Sequence, residues 1–140
     1  MTSTVPSTDR PTETQNKDTV RGFFDAFAAG DDAGLDALMT PDFVAHSLPP
    51  GLTPDAAGLR QMAATVHAGL RDCRVEIHDL VAEGDRVVAR FSTHAVHGGE
   101  LFGIAPSGRP VSMTGIEWYR LEAGRVAEFW GEYDTSDMPG

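Results

Sequence analysis

The sequence predicts one α+β domain, in which three helices pack against one face of an antiparallel sheet that follows them in the chain. Two patterns carry this prediction. Apolar residues recur with a helical period as far as Leu70, and from Cys73 onward they alternate with a period of two. The length of 140 residues, of which 41% are hydrophobic, fits a single domain with its own core.

The helical half follows a polar tail. Residues 1–15 are rich in Ser, Thr and Pro and lack periodicity, which predicts a disordered segment. A first helix is predicted from about Lys17 to Gly30, and its apolar stripe has the spacing i, i+3, i+4 and i+7. The stripe consists of Val20, Phe23, Phe24 and Phe27.

Two further helices are predicted before the sheet. Asp31 or Asp32 caps a short second helix, and an extended segment follows over residues 42–47. Thr53 is the predicted N-cap of the third helix, with Pro54 in its first turn. The buried face of this helix is predicted to contain Leu59, Met62, Ala63, Val66 and Leu70.

Four sequential strands complete the predicted fold. They cover residues 74–82, 86–97, 111–122 and 125–133. Short turns join the first strand to the second and the third to the fourth, and a longer connection joins the second to the third. We therefore expect the domain to span residues 16–134, with a C-terminal tail over residues 135–140. Because the chain stops seven residues after Tyr133, we expect one mouth of any pocket to be open or covered by a partner subunit.

Charge and composition exclude several functions. A formal net charge of −10 repels phosphate backbones and anionic membranes, so we expect neither a nucleic acid nor a membrane partner. No apolar run approaches the ~18 residues of a membrane span, and no secretory signal is evident, so a cytoplasmic location is expected. One cysteine, Cys73, allows no disulfide within the chain, and we expect its thiol to be buried.

The histidines do not suggest a metal site. His94 and His97 are three residues apart on a strand, so their side chains point to opposite faces of the sheet. No other spacing of His, Asp and Glu compensates for this, and we expect no bound metal. His67 and His78 are predicted to be solvated.

Several strings in the chain are characteristic of a known family. They are Pro41-Asp42-Phe43 with His46, Pro49-Pro50-Gly51, and above all the run GELFGIAPSGRPVSMTGIEWYRLEAGRVAEFWGEYD. Through them the chain resembles the SnoaL-like polyketide cyclases, or ester cyclases, of the NTF2-like superfamily, over about residues 16–134. The resemblance implies a cone-shaped curved sheet around an apolar pocket, no cofactor, and a homodimer or higher homo-oligomer formed through the outer sheet face.

The chain departs from the acid/base residues of that family. The best-known members close polyketide rings by aldol condensation, using an acidic residue on the last strand. Alignment on Gly124-Arg125-Val126 places this aspartate at Gly131 and a nearby family histidine at Phe129. A family glutamine and histidine on the preceding strand fall on Gly115 and Glu117, so most of the usual set is replaced.

Three residues are candidates for catalysis. By the resemblance, Glu117 faces the pocket, where burial raises the pKa of a carboxyl and suits it to exchange a proton; the alternative is a buried structural acid. His46 is the candidate proton shuttle or substrate hydrogen-bond partner, or else a histidine bonded to backbone. Asp134 enters the site only if the strand bulges at Gly131.

The remaining site predictions concern the pocket and the outer face. The residues predicted to line the substrate pocket are Phe24, Phe27, Met62, Met113, Tyr119, Phe129, Gly131 and His97. Tyr119 is suited to donate a hydrogen bond to a developing enolate oxygen, or else it is simply a core residue. The alternative for His97 is a structural role at the end of its strand. Trp118 and Trp130 are expected in packing or in a subunit interface.

Three functions are consistent with these expectations. The first is a cofactor-free cyclase or isomerase that acts on a hydrophobic, polyketide-like small molecule by general acid/base catalysis. The second is an enzyme of the same fold that adds water or opens an epoxide, which requires a second pocket acid near Glu117. The third is a non-catalytic module that binds a small ligand, since fold alone does not determine function.

Overall fold

The computed structural model describes residues 11–139, which form three helices and five strands. The helices are α1 (Pro11–Ala29), α2 (Asp32–Ala37) and α3 (Ala56–Gly69). The strands are β1 (Met39–Ala45), β2 (Leu70–Glu83), β3 (Arg86–His97), β4 (Pro110–Glu122) and β5 (Arg125–Asp134). None of the helices in this range is long and apolar enough to cross a membrane.

The five strands form one curved, open sheet in the order β1-β5-β4-β3-β2. Strands β2 to β5 pair antiparallel, as the predicted meander, which confirms the α+β class. Strand β1 pairs with β5 in parallel, so the sheet is mixed and not antiparallel throughout. The backbone of His46 continues this pairing, because its N–H donates to the Phe129 carbonyl at 3.0 Å.

The core lies between α1 and the inner face of the sheet. Val20, Phe23 and Phe24 are buried on the predicted stripe of α1. The ring of Phe23 meets the ring of Tyr119 on β4 edge to face, with centroids 5.8 Å apart. Helix α3 covers another part of the inner face and buries Leu59. The helices therefore cover one side of the sheet, and the other side is left to solvent.

Helix α1 begins earlier than the sequence predicts. Residues 11–15, assigned to a disordered tail, form its first turns, while residues 1–10 lie outside the described residues. The Glu13 carboxylate accepts a hydrogen bond from the Gly84 N–H at 2.8 Å, and the Asn16 amide donates to the Gly84 carbonyl at 3.5 Å. Polar contacts with the β2–β3 turn thus anchor a segment that has no apolar periodicity of its own.

Aspartates cap the other two helices. Asp31 caps α2, as predicted, by accepting from the Gly34 N–H at 2.9 Å. The N-cap of α3 is Asp55 and not Thr53, because the Asp55 carboxylate accepts from the Gly58 N–H at 3.0 Å. The Thr53 hydroxyl, which precedes the helix, donates to the same carboxylate at 2.7 Å and so helps to orient the capping side chain.

Residues 135–139 fold back across one end of the sheet. The Asp137 carboxylate accepts hydrogen bonds from the Ser112 N–H at 2.8 Å and from the Ser112 hydroxyl at 3.3 Å. Met138 packs against the cluster that contains Leu70 and Leu101. The segment assigned to a tail therefore covers part of the pocket mouth, where the sequence led us to expect an opening or a partner subunit.

Candidate active site

The helices and the inner sheet face enclose a cavity of about 690 Å³. Its walls come from α1, α3, strands β2 to β5, the β1–α3 and β3–β4 connections and residues 135–139. Most of the lining side chains are apolar, and the volume is that of a site for a small organic molecule. The few polar side chains that face this cavity are therefore the candidates for chemistry.

Most residues predicted for the pocket line this cavity. They are Phe24, Phe27, Met62, Met113, Tyr119, Phe129 and Gly131. His97 does not line it and corrects the prediction: its side chain is 1% exposed, and its Nδ1 accepts from the Ser107 N–H at 3.3 Å. This bond holds the β3–β4 connection against the end of β3, which is the structural role that was the alternative.

Glu117 is the only carboxylate that lines the cavity within residues 11–139. It lies in the middle of β4, where alternation turns Glu117 and Tyr119 inward and Trp118 outward. Its Oε1 accepts a hydrogen bond from the Tyr119 hydroxyl, and its Oε2 accepts one from the Tyr133 hydroxyl at 2.5 Å. The chain has two tyrosines, so both of its phenols bond to this one carboxylate.

Burial controls the ionisation of this cluster. It raises the pKa of Glu117 above the usual value of a glutamate, because the apolar walls solvate the charged form poorly; the bonds from Tyr119 and Tyr133 offset part of this rise. Burial, and then the charge of Glu117, also raises the pKa of both phenols. The tyrosines therefore remain protonated donors, and Glu117 is the group that can gain or lose a proton.

Tyr133 is the functional candidate that the sequence analysis did not single out. A signal for it was present, because Tyr133 shares inward parity with Phe129 and Gly131 on β5. Its ring also lies edge to face with that of Phe91, with centroids 6.4 Å apart. What the sequence did not reveal is that the ring leans back along β5 far enough to reach Glu117.

The structure does not bring His46 into the cavity. Ala45 is 1% exposed and points inward, so the next side chain, His46, points to the outer face. There its ring stacks on Trp130 with centroids 4.6 Å apart, and its Nε2 lies 2.7 Å from the Glu128 carboxylate. The bonds from His46 and then Arg120 lower the pKa of Glu128. This placement corrects the prediction that His46 assists Glu117.

Asp134 also lies outside the cavity. The pairing of β4 with β5 is regular around Gly131, with Glu117 opposite Gly131 and Thr114 opposite Asp134, so no bulge turns Asp134 inward. Its exposed carboxylate accepts from the Ser136 N–H at 3.0 Å, and bonds to Ser136 lower its pKa. The predicted set of three catalytic residues is therefore reduced to Glu117.

Other polar residues also line the cavity, among them Ser47, Thr93, Thr135, His67 and Cys73. His67, predicted to be solvated, lies with its Nε2 2.6 Å from the Phe27 carbonyl, which requires that this nitrogen carry the proton and donate. Cys73 is half-buried, and burial raises the pKa of its thiol. No group of three His, Cys, Asp or Glu side chains in the described part of the chain is placed to hold a metal ion.

The chain matches one family model and is similar to several solved structures. The model of the SnoaL-like polyketide cyclase family matches residues 17–138. IdmH from Streptomyces antibioticus, to which a polyketide cyclase function is attributed, is 34% identical, covers 89% of this chain and 95% of its own, and has a TM-score of 0.78. TsrD from Streptomyces laurentii is 28% identical, covers 93% of each chain, and has a TM-score of 0.80.

A third similar structure carries a different attributed activity. AclR from Streptomyces galilaeus, to which a hydroxylase function is attributed, is 25% identical, covers 90% of this chain and 83% of its own, and has a TM-score of 0.81. No curated protein sequence matches the chain. The family model covers most of the described residues, and the helices, sheet and cavity agree with it, so the chain belongs to the SnoaL-like polyketide cyclase family.

Proposed function

We propose that the protein is a cyclase or isomerase that acts on a hydrophobic, polyketide-like small molecule, with Glu117 as its general acid and base. The observation that carries this proposal is the cavity of about 690 Å³, mainly apolar, in which residues 11–139 place a single carboxylate that accepts hydrogen bonds from two phenols. Membership of the family supports a cyclase-type function. The apolar walls favour a substrate that is mostly hydrocarbon and aromatic surface.

The site is suited to an intramolecular aldol reaction. The Glu117 carboxylate removes a proton from a carbon beside a substrate carbonyl, and the electron pair of that C–H bond becomes an enolate. The enolate carbon then attacks a second carbonyl of the same molecule, which forms the new C–C bond and leaves an alkoxide. The proton held by Glu117 returns to that alkoxide, so the product is an isomer of the substrate and the enzyme is unchanged.

Two features of the cavity contribute to this reaction. Because burial raises the pKa of Glu117, its carboxylate is a stronger base than that of an exposed glutamate. The protonated carboxyl is still a much stronger acid than an alcohol, so its proton passes to the alkoxide. The walls hold a flexible substrate in a folded conformation. The conformational entropy that ring closure requires is therefore lost on binding and not in the chemical step. Tyr119, with 0% exposure and its ring packed on Phe23 and Phe129, fixes the orientation of the carboxylate.

The test is metabolite profiling of a strain that lacks the gene. The strain is complemented with the wild type, with Glu117→Gln, or with Glu122→Gln, and the purified proteins are incubated with any compound that accumulates. Glu117→Gln keeps the shape of the side chain but removes the base. Glu122→Gln is the matched control, because it lies on the same strand but is exposed and bonds to Arg120.

Each outcome separates the functions. If the wild type and Glu122→Gln consume the compound and yield an isomer while Glu117→Gln does not, the proposal is supported. A product heavier by one water would favour an enzyme that adds water, but that function needs a second cavity acid, and the described lining holds none. If the proteins bind the compound equally and convert none of it, the protein is a ligand-binding module.

A further inference from the structure

We propose that Tyr133 is a catalytic residue of this site, whose hydroxyl faces the substrate and passes a proton between a substrate oxygen and Glu117. We further propose that Gly131 and Gly115, which lack side chains, leave the space that the Tyr133 ring needs to reach Glu117. The proposal rests on the function proposed above and adds to it the group that delivers the proton. The alternation of β5 turns Tyr133 inward, but the contact of its hydroxyl with Glu117 results from how the ring leans.

The first observation is the fit of the Tyr133 ring onto two glycines. Gly131 precedes Tyr133 by two residues on β5, and Gly115 is its register partner on β4. A Cβ atom at Gly131 would overlap the Tyr133 hydroxyl oxygen and lie 2.5 Å from Cζ. A Cβ atom at Gly115 would lie 2.8 Å from Cδ1 of the same ring and 2.9 Å from Cζ of Phe91. Any other residue at either position would displace the ring or the strand.

The second observation is that the space above the two glycines lets Tyr133 reach Glu117. In the sheet register Tyr133 stands opposite Gly115, whereas Glu117 stands opposite Gly131. Because both glycines lack a side chain, the ring leans over them toward Glu117, and its hydroxyl reaches Oε2 at 2.5 Å. The hydroxyl thus occupies the space into which a side chain from position 131 would extend.

The third observation distinguishes the two tyrosines. Tyr119 is 0% exposed, whereas Tyr133 is 37% exposed and lines the cavity near residues 135–139. Both donate to the same carboxylate, but the Tyr133 ring keeps surface that a bound molecule can contact. Tyr119 is therefore a positioning residue, and Tyr133 is placed to touch the substrate.

This arrangement answers a requirement of the proposed reaction. The proton is removed from one carbon, but it must be returned to the oxygen of a different carbonyl. The described lining of the cavity offers one carboxylate, Glu117, for both tasks. When the alkoxide forms, it takes the proton of the Tyr133 hydroxyl. The Tyr133 oxygen takes the proton from the Glu117 carboxyl in the same step, so Tyr133 stays neutral and Glu117 returns to the carboxylate. The raised pKa of the phenol is consistent with this neutral state.

The first test compares kcat of purified variants on the compound identified by metabolite profiling. We expect Tyr133→Phe, which removes only the hydroxyl, to lower kcat by about 10²–10⁴-fold with a small change in KM. Gly131→Ala should cause a similar loss, because the added Cβ displaces the Tyr133 ring. Gly22→Ala on α1 is the matched control: its Cβ would lie 3.3 Å from a Leu38 methyl, and we expect kcat within about twofold of the wild type.

A second test separates proton transfer from a structural role. Biosynthetic 3-fluorotyrosine in a Tyr119→Phe background labels Tyr133 alone, because the chain has two tyrosines. Fluorine makes the phenol a stronger acid with almost no change in size, so a proton-transferring Tyr133 should change the pH profile of kcat. A tyrosine that serves only in packing would leave the profile where it is in the unlabelled Tyr119→Phe protein.

The outcomes are distinguishable from failure of the proposed function. If Glu117→Gln abolishes turnover but Tyr133→Phe retains kcat within about twofold, Tyr133 is not catalytic and the proposed function stands. If neither substitution changes turnover, both proposals fail. Should Gly131→Ala prove unfolded by circular dichroism, Tyr133→Phe and the fluorotyrosine profile decide the question alone.

Discussion

Glu117 should make the stability of the folded protein depend on pH. Burial raises the pKa of this carboxyl in the folded state, whereas in the unfolded chain water restores the usual value. The folded state therefore binds the proton more tightly than the unfolded state does. By linkage, the free energy of unfolding falls as pH rises above the usual glutamate pKa, and the loss ends once the folded carboxyl has ionised.

The size of the effect is bounded by a single proton. The slope of the free energy of unfolding with pH cannot exceed about 1.4 kcal/mol per pH unit for one group. Glu117→Gln removes this titration, so the difference in the free energy of unfolding between the wild type and the variant should be flat at low pH and then change with a slope no greater than this limit. Two charge-assisted hydrogen bonds, each worth about 1.5–3 kcal/mol, oppose the cost of burying the charge.

The assay is urea unfolding of both proteins from about pH 4 to pH 9, monitored by tryptophan fluorescence. Asp25→Asn removes one charge from an exposed position of α1 and controls for the change in net charge. A difference that rises with pH would show that the bonds from Tyr119 and Tyr133 outweigh burial. That result, or a difference independent of pH, would refute the reasoning on which the role of Glu117 rests.

Three further predictions concern other parts of the structure. Glu13→Ala should lower the free energy of unfolding by about 1.5–3 kcal/mol in urea, because the Gly84 N–H loses a charged acceptor; a loss below about 0.5 kcal/mol would contradict the anchoring of α1. The Cys73 thiol should react with Ellman's reagent more slowly at neutral pH than in urea, because burial raises its pKa, and equal rates would show an exposed thiol. Trp118 is 49% exposed on the outer face and pairs with Trp130, so we expect Trp118→Arg to convert the expected homodimer to monomer in sedimentation velocity; a monomeric wild type would refute that expectation.

Periodicity predicted the local elements well. The strand over residues 86–97 has the same bounds in the structure, because the Glu83-Gly84-Asp85 turn defines its start, Gly98-Gly99 defines its end and alternation defines its faces. The same alternation turned Glu117 inward correctly. Alternation also places His46 on the outer face, since Phe43 and Ala45 are the buried apolar residues at the end of β1 and His46 follows Ala45.

What the sequence could not supply was long-range pairing. The helical start at residues 11–15 depends on the turn at Gly84, some 70 residues away, and has no local apolar signal. The contact of Tyr133 with Glu117 depends on two glycines on different strands, so neither strand read alone reveals it. The period of the apolar residues predicts which face of the sheet a side chain lies on. It does not predict how far an aromatic ring leans over a neighbouring glycine.

The parallel pairing of β1 with β5 has a consequence for synthesis of the protein. The single neighbour of β1 in the sheet is β5, and Ala45 pairs with Phe129, which is 84 positions later. At roughly 5–20 residues per second, a ribosome takes about 4–17 s to add that stretch. Until then the nascent chain carries a completed strand with no partner, and the final strand must insert between β4 and β1. The first and last strands of the sheet can thus pair only after β5 has been synthesised.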